Sequence, residues 1–378
     1  MKKIFLTVII IFLVFFIGLL AAIRFRYGGG REFEDRTSTP VFPSSALEIV
    51  AALDEPPGNI AVSASGRIFI TIHPLSRPAI NKVVELIDGK PVPYPDSNAQ
   101  QNLFQEVLGL AVDRQDRLWL LDDGLQGIKQ PRILAYDLQT NQQVKRFDFP
   151  SDIAGLGSFL NDLQIDPNGQ KIYIADTSTL AKKPAIIIYD AKQNSARRVL
   201  ENHPSVVEQD WIINARGRKM KLWWGLFVVK PAVDSIALDR KGEWLYYGPM
   251  AHGSMFRIRT EDLNDQTLAP EALGLKVEKF GPKPLSDGLS MDLEDNIYIT
   301  EVEHGAILTL GPDKNLKTLI RDPRLRWPDG LSFGPGDWLY ISDSALQDVM
   351  FRSKKYIRSK APYFIFRFKP GLPGIAGQ

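Results

Sequence analysis

The chain contains no cysteine, which excludes a disulfide framework, a thiol nucleophile and any cysteine-ligated zinc site. Histidine is scarce too. Its four copies are His73, His203, His252 and His304, and they form neither an HExxH pattern nor a three-histidine metal set. His73 and His203 stand beside prolines and are expected to be structural or exposed loop residues, while His252 and His304 fall in turns between expected strands. Charge of one sign is lacking as well: 46 Lys+Arg face 44 Asp+Glu, a net charge of +2 over 378 residues. That balance argues against the concentrated basic face of a nucleic-acid-binding protein. No GxSxG elbow, Walker loop or dinucleotide fingerprint occurs, so nucleophilic-serine hydrolysis and nucleotide chemistry are not expected.

What is present begins with one long apolar run. Ile4 to Ile23 are interrupted only by Thr7 and Gly18 and follow Lys2 and Lys3. A helix of that length reaches about 30 Å, enough to cross a hydrocarbon core. The nearest small-x-small site, Leu20-Ala21-Ala22, has a large first residue, so an uncleaved signal anchor over residues 1–26 is expected, with cleavage and secretion as the alternative. Arg24, Arg26 and Arg31 follow the run and weaken an orientation argument from Lys2 and Lys3. The body is expected outside the cytoplasm, periplasmic or extracellular, joined through a Gly/Pro/Ser-rich linker over residues 27–45.

From residue 46 to 378 one pattern recurs six times: Asn, Asp or Gly, a short apolar strand, an Asp/Gly/Asn turn, then a second strand. The copies start at Asn59, Gly109, Asn161, Asp234, Asp287 and Asp329. Their equivalent apolar positions Ile60, Leu110, Leu163, Ile236, Leu289 and Leu331 are spaced by 50, 53, 73, 53 and 42 residues. Each copy reads as a hairpin. Two hairpins per repeat make a four-stranded blade, so the fold expected is all-β, a six-bladed propeller closed by the early strand Leu47 to Leu53. The long interval holds an expected insertion over Asn194 to Val229, rich in basic residues and in Trp223-Trp224 but balanced by Glu201, Glu208 and Asp210. It is expected to cover one mouth of the ring.

Several segments carry a resemblance: GNIAVSASGRIFIT (58–71), RLWLLDDGLQ (117–126), PRILAYDLQTNQQVKRFDFP (131–150), FLNDLQID (159–166), and RWPDGLSF with WLYISDSALQDVMF near the end. Together they resemble the major royal jelly and insect Yellow proteins. The resemblance implies a six-bladed, typically secreted propeller, in a family with dopachrome-converting enzymes and binders of small aromatic amines. Animal members commonly carry cysteines near the position of Gln130-Pro131, and this chain has none. The architecture is also similar to the regucalcin and gluconolactonase group. Its acid/Asn/Asn/Asp calcium quartet carries over to Asn59, Asn161, Asp234 and Asp287, with two of the four residue types changed.

In a propeller the inner strands all start at one end of the channel, so Asn59, Asn161, Asp162, Asp234, Asp287 and Asp329 are expected around one mouth. Converging carboxylates must be protonated, hydrogen-bonded or neutralised by a cation. Two readings follow. The ring binds a small aromatic amine, with Asn59, Asn161, Asp162, Asp234, His252 and Trp327 as ligand contacts, Trp223 and Trp224 as further stacking candidates, and Asp287 or Asp329 as a proton-transfer base. Alternatively Asn59, Asn161, Asp234 and Asp287 bind Ca²⁺ in a lactonase or esterase. A non-catalytic tethered binding module is the third possibility.

Overall fold

Short strands separated by tight polar turns build six sheets of four strands each in the computed structural model, which describes residues 2–78 and 80–377. Met1 and Gln378, the outer limits of the expected anchor and propeller, lie outside the described residues. From the inside out, blade 1 holds Pro57–Val62, Ile68–Ile72, Val83–Ile87 and Lys90–Pro93. Blade 2 holds Val107–Val112, Arg117–Asp122, Arg132–Asp137 and Gln143–Asp148. Blade 3 holds Leu160–Ile165, Lys171–Asp176, Ala185–Asp190 and Ser195–Val199. Blades 4 and 5 repeat the order from Val233 to Pro282 and from Leu289 to Arg321. In blade 6, Pro328–Gly334, Trp338–Asp343 and Tyr363–Phe368 are joined by Glu48–Leu53, which pairs antiparallel with Tyr363–Phe368. This early apolar strand thus closes the ring, as its apolar run predicts.

The acid repeated in the first turns of blades 2 to 5 has a local cause. Asp113 accepts from the backbone N–H of Gln115 and Arg117, Asp239 from Glu243 and Trp244, and Asp292 from Glu294 and Asn296. These side chains satisfy amides that the tight turn leaves unpaired. Apolar residues then pack between neighbouring blades. One cluster joins blades 2 and 3 through Trp119, Leu121, Leu163 and Ile174, and another joins blades 3 and 4 through Ile186, Ile236 and Leu245.

The ends of the ring differ. At the far end the C-terminal segment lies across the channel: Gly377 N donates to Phe333 O at 3.0 Å, and Val112 N donates to Gly377 O at 3.2 Å. At the end where the inner strands begin, here called the mouth face, lie the loops after every second strand and before every inner strand. The expected insertion starts later than its charge pattern suggests, because Ser195–Val199 is the outer strand of blade 3. Arg198 lies on that strand and reaches the Asp176 carboxylate at 2.6 Å. Basic side chains suit an outer strand, where they protect an open edge. The remaining insertion forms the hairpins Asn214–Lys219 and Lys221–Val228 on the mouth face.

Residues 27–45 run along the body. Arg31–Glu32 pair in parallel with Trp211–Ile212, and the Arg36 guanidinium donates to the carbonyls of Gly253 and Lys283. Val41 and Phe42 then donate to Thr318 and Leu319 on the outer strand of blade 5. Ahead of them a helix spans Lys2–Tyr27, of which Ile4–Tyr27 is long and apolar enough to cross a membrane.

Candidate functional site

Five of the six inner strands enter the ring through an irregularity. Register shifts lie between Pro57 and Ile60, Val107 and Leu110, Leu160 and Leu163, Val233 and Ser235, and Pro328 and Leu331. A bulge interrupts the alternation of faces, and two successive residues of a strand then line the channel. The strand starts therefore form two layers. Asn161, Asp234, Asp287 and Asp329 line the floor of the mouth cavity with Leu108. Asn59 and Asp162 lie one residue nearer the strand interior and line the narrow channel space below, which holds about 20 Å³, room for about one water. Within the lower layer Asn59 Nδ2 donates to Asp162 Oδ1 at 3.0 Å.

Glycines let the blades approach this closely. A Cβ at Gly109 would lie 2.0 Å from Asn161 O, and one at Gly288 would lie 2.0 Å from Asp329 O. Side-chain oxygen is missing at Gly109 for that reason. Hydroxyls of the second strands take up the backbone amides: Asp287 N and Gly288 N donate to Thr300 Oγ1, and Gly330 N donates to Ser342 Oγ.

The floor is acidic and buried. Asp234, Asp287 and Asp329 are each at least nine-tenths buried. Burial, then the neighbouring Asp287 and Asp329 charges, hold the Asp234 carboxyl well above the usual carboxylate range. Burial pushes Asp287 up to about 7, opposed by the hydrogen bond from Trp327 and the charge of Lys283. Burial also raises Asp162 to about 7, and burial with Asp287 raises Asp329 well above its ordinary value. Asn161 Nδ2 donates to Asp234 Oδ1. Asp329 Oδ2 is buried with no hydrogen-bond partner.

Sequence reasoning missed two floor-side groups. His73 is buried and lines the cavity; its Nδ1 accepts from Leu75 N, and its Nε2 lies 3.8 Å from Asp329 Oδ2. Burial lowers its pKa to about 3, so the ring is neutral near pH 7, with the proton on Nε2 facing Asp329. Its place at the end of a second strand could have revealed it, because those strands end at the mouth. Lys283 is fully buried and donates to Pro284 O and Ser286 Oγ, both at 2.9 Å. Burial lowers it to about 7, against the pull of Asp234 and Asp287. A lysine four residues before an inner-strand acid was the available clue.

Other expected contacts lie elsewhere. Trp327 is fully buried, and its indole N–H donates to Asp287 Oδ2 at 2.6 Å; it supports the floor and offers no face to the cavity. His252 is buried in a turn, where Nδ1 accepts from Ser254 N and the ring meets Phe256 edge-on. It does not line the cavity. Trp223 and Trp224 are exposed on the insertion, outside the cavity. The walls come from Leu75, Phe159, Leu180, Phe227, Met350 and Phe351, around a volume of about 220 Å³.

The domain architecture has a matching family model. The model described as "Major royal jelly protein" matches residues 105–350. The chain belongs to the major royal jelly protein family. Within that family it is 30% identical to major royal jelly protein 1 of Apis mellifera over 220 residues, covering 52% of this chain and 48% of the relative. It is 29% identical to major royal jelly protein 3 of the same species over 190 residues, covering 46% and 32%. The match spans about half or less of these curated relatives. Among solved structures, a gluconolactonase from Xanthomonas campestris superposes with a TM-score of 0.55 at 14% identity, covering 91% of this chain and 98% of that one. A calcium-binding protein, regucalcin, from Agrobacterium tumefaciens gives 0.53 at 14% identity, covering 87% and 96%. At such identities the likeness is one of fold.

The cluster of buried acids raises the question of a cation. The floor offers oxygen ligands of the kind Ca²⁺ takes, from Asp234, Asp287, Asp329 and, if its amide turns over, Asn161. Trp327 and Lys283 already engage or face two of those carboxylates, while the unpartnered Asp329 oxygen is free to ligate. The donor set fits in kind, with Asp329 replacing Asn59 in the quartet expected from sequence. Glu301, Glu303 and His304 also bring ligand atoms within 4.8 Å of one another. There, however, Glu301 accepts from the backbone of Glu303 and His304, and Glu303 accepts from Asn214 N. That trio ties blade 5 to the insertion.

Proposed function

We propose that this member of the major royal jelly protein family is a propeller held outside the cytoplasm by its N-terminal helix, and that it binds or converts a small aromatic amine at the channel mouth. The observation that carries the reading is the unpartnered, buried Asp329 carboxylate oxygen at the floor of an apolar-walled cavity. An ammonium group satisfies that oxygen and compensates the neighbouring acids, while Phe159, Phe227 and Leu180 suit an aromatic body.

The acids make the binding pH-dependent. With Asp287 near pKa 7 and Asp234 and Asp329 raised by burial and by their acidic neighbours, protonation at pH 5.5 removes the charge that an ammonium pairs with. Tyramine is therefore expected to bind about tenfold more tightly at pH 8 than at pH 5.5. Calorimetry in two buffers of different ionisation enthalpy should show proton release at pH 6 to 7. Equal affinity at both pH values would reject the acid floor as the amine site.

If the protein turns its ligand over in the dopachrome manner, a base removes a carbon-bound proton and a proton returns elsewhere on the ring system. A carboxyl with its pKa raised by burial is matched to that work, and Asp287 and Asp329 are the candidates. Dopachrome decay followed with the purified protein and with Asp329→Asn separates the cases: no acceleration over buffer leaves binding alone.

A calcium-dependent lactonase or esterase is a second reading, favoured by the oxygen-rich floor. Asn161, Asp234, Asp287 and Asp329 would hold the ion, which would polarise a substrate carbonyl. Metal retained through dialysis, with a melting temperature lowered by chelator, would support it; an unchanged melting temperature without retained metal would remove it.

A further inference from the structure

We infer that the rim of the mouth face is a docking surface for a phospholipid bilayer, so that the cavity opens toward the lipid headgroups. The inference rests on the proposed anchoring role of the N-terminal helix. Outside that helix, the large exposed apolar side chains Ile128, Leu156, Leu180, Trp223, Trp224 and Phe351 stand on mouth-face loops that follow one another in space. Leu156 is 77% exposed and Trp224 97%. The patch is continuous, because Ile128, Leu156 and Leu180 line one surface groove, and Leu180, Phe227 and Phe351 line the mouth cavity. Phe227 and Phe351 meet edge-on with centroids 6.2 Å apart. A contiguous exposed apolar surface of this kind marks an interaction site.

The helix identifies the occupant. Its last turn is fastened to this same rim: Tyr27 stacks on Phe227 at 5.8 Å, and its hydroxyl donates to Leu180 O at 2.9 Å. Arg24 donates to Gly225 O at 2.9 Å, and Arg26 to Ala181 O at 3.1 Å. A spanning helix that ends at Tyr27 therefore brings the rim to headgroup level. Trp and Tyr belong at that depth, and exposed Lys129, Lys183 and Lys221 on the surrounding loops suit anionic headgroups. Trp223 and Trp224 both hold the left-handed conformation, at φ 47° and 55°. That conformation is unfavourable for bulky residues and is typical of functional positions, and here the turn projects both indoles away from the body.

The test uses the full-length chain reconstituted in phosphatidylcholine/phosphatidylglycerol vesicles, with and without lipids brominated near the headgroup end of the acyl chain. Trp223→Asn/Trp224→Asn is the comparison, since Asn tolerates the left-handed conformation. Trp119 and Trp327 are fully buried, Trp211 is half-buried between Phe33 and the Arg31 guanidinium, and Trp244 and Trp338 begin second strands at the opposite end of the ring. Quenching should therefore come mainly from the rim indoles. The wild type is expected to float with the vesicles and to be quenched, and the double variant to float equally with quenching reduced about threefold. Flotation without quenching in the wild type overturns the docking surface and leaves the anchor standing. Quenching undiminished in the variant, or a rim covered by a second copy and shielded from bromolipid, also overturns it. Failure of the wild type to float removes the anchor and the docking surface together.

Discussion

Replacing Trp327 by alanine is expected to destabilise the propeller by about 3–5 kcal/mol, the range for truncating a buried large aromatic residue. The side chain is fully buried in the cluster shared by blades 6 and 1 and the insertion, and its indole N–H holds Asp287 at 2.6 Å. Trp327→Phe separates these roles, because it keeps most of the volume and removes the donor. At pH 8, where the carboxylate is ionised, that variant should lose about 1–3 kcal/mol; at pH 5, with Asp287 protonated, the loss should shrink to the packing difference. Chemical denaturation at the two pH values measures both. An alanine variant of unchanged stability would place the indole outside the core.

Asp287→Asn should act in the opposite direction. A carboxyl whose folded pKa is raised, here to about 7, binds its proton more tightly in the native than in the unfolded state. Its stabilising contribution is complete below the unfolded value near 4 and is lost as the pH rises through 7. Asparagine removes that loss while keeping an oxygen for the Trp327 N–H. The variant should therefore exceed the wild type by about 2 kcal/mol at pH 8 and match it near pH 4.5. His73 and His252, lowered by burial to about 3 and 4, favour the native state above pH 6.5 and lose that contribution as pH falls. They affect wild type and variant alike, so the difference between the two curves isolates Asp287. With Ca²⁺ bound the sign at pH 8 reverses, because the substitution then removes a ligand charge. Melting with and without chelator distinguishes the cases.

The fold was legible because one local pattern, an apolar strand closed by a tight polar turn, recurs at every blade, and Asp113, Asp239 and Asp292 make the same turn bonds. The strand from Glu48 to Leu53 could be assigned to the last blade since a ring leaves its first apolar strand no other partner. The convergence of Asn161, Asp234, Asp287 and Asp329 was legible for the same topological reason. Their division from Asn59 and Asp162 was not, because a bulge shifts which residue faces inward and has no fixed residue signature. Lys283 and His73 were obscured because each stands among prolines in a loop that reads as surface. Blade 6 meets His73 through Asp329, and the second strand of blade 4 meets Lys283 at Gly248, contacts that no local pattern encodes. Trp327 was misplaced by its type: an indole suits a ligand face and a core equally, and only the Asp287 hydrogen bond tells them apart.

The central claim is that the strand starts assemble one acidic floor that receives an ammonium group beneath apolar walls. It is tested most directly by calorimetric titration at pH 8 with tyramine and with 4-ethylphenol, which has the same ring and no amine, against wild type and Asp329→Asn. The wild type is expected to prefer tyramine by about tenfold or more, the scale of a buried charge-assisted hydrogen bond, and Asp329→Asn to abolish most of that preference while 4-ethylphenol binding stays the same. Equal affinity of the wild type for the two compounds, or a preference that survives in Asp329→Asn, would contradict it.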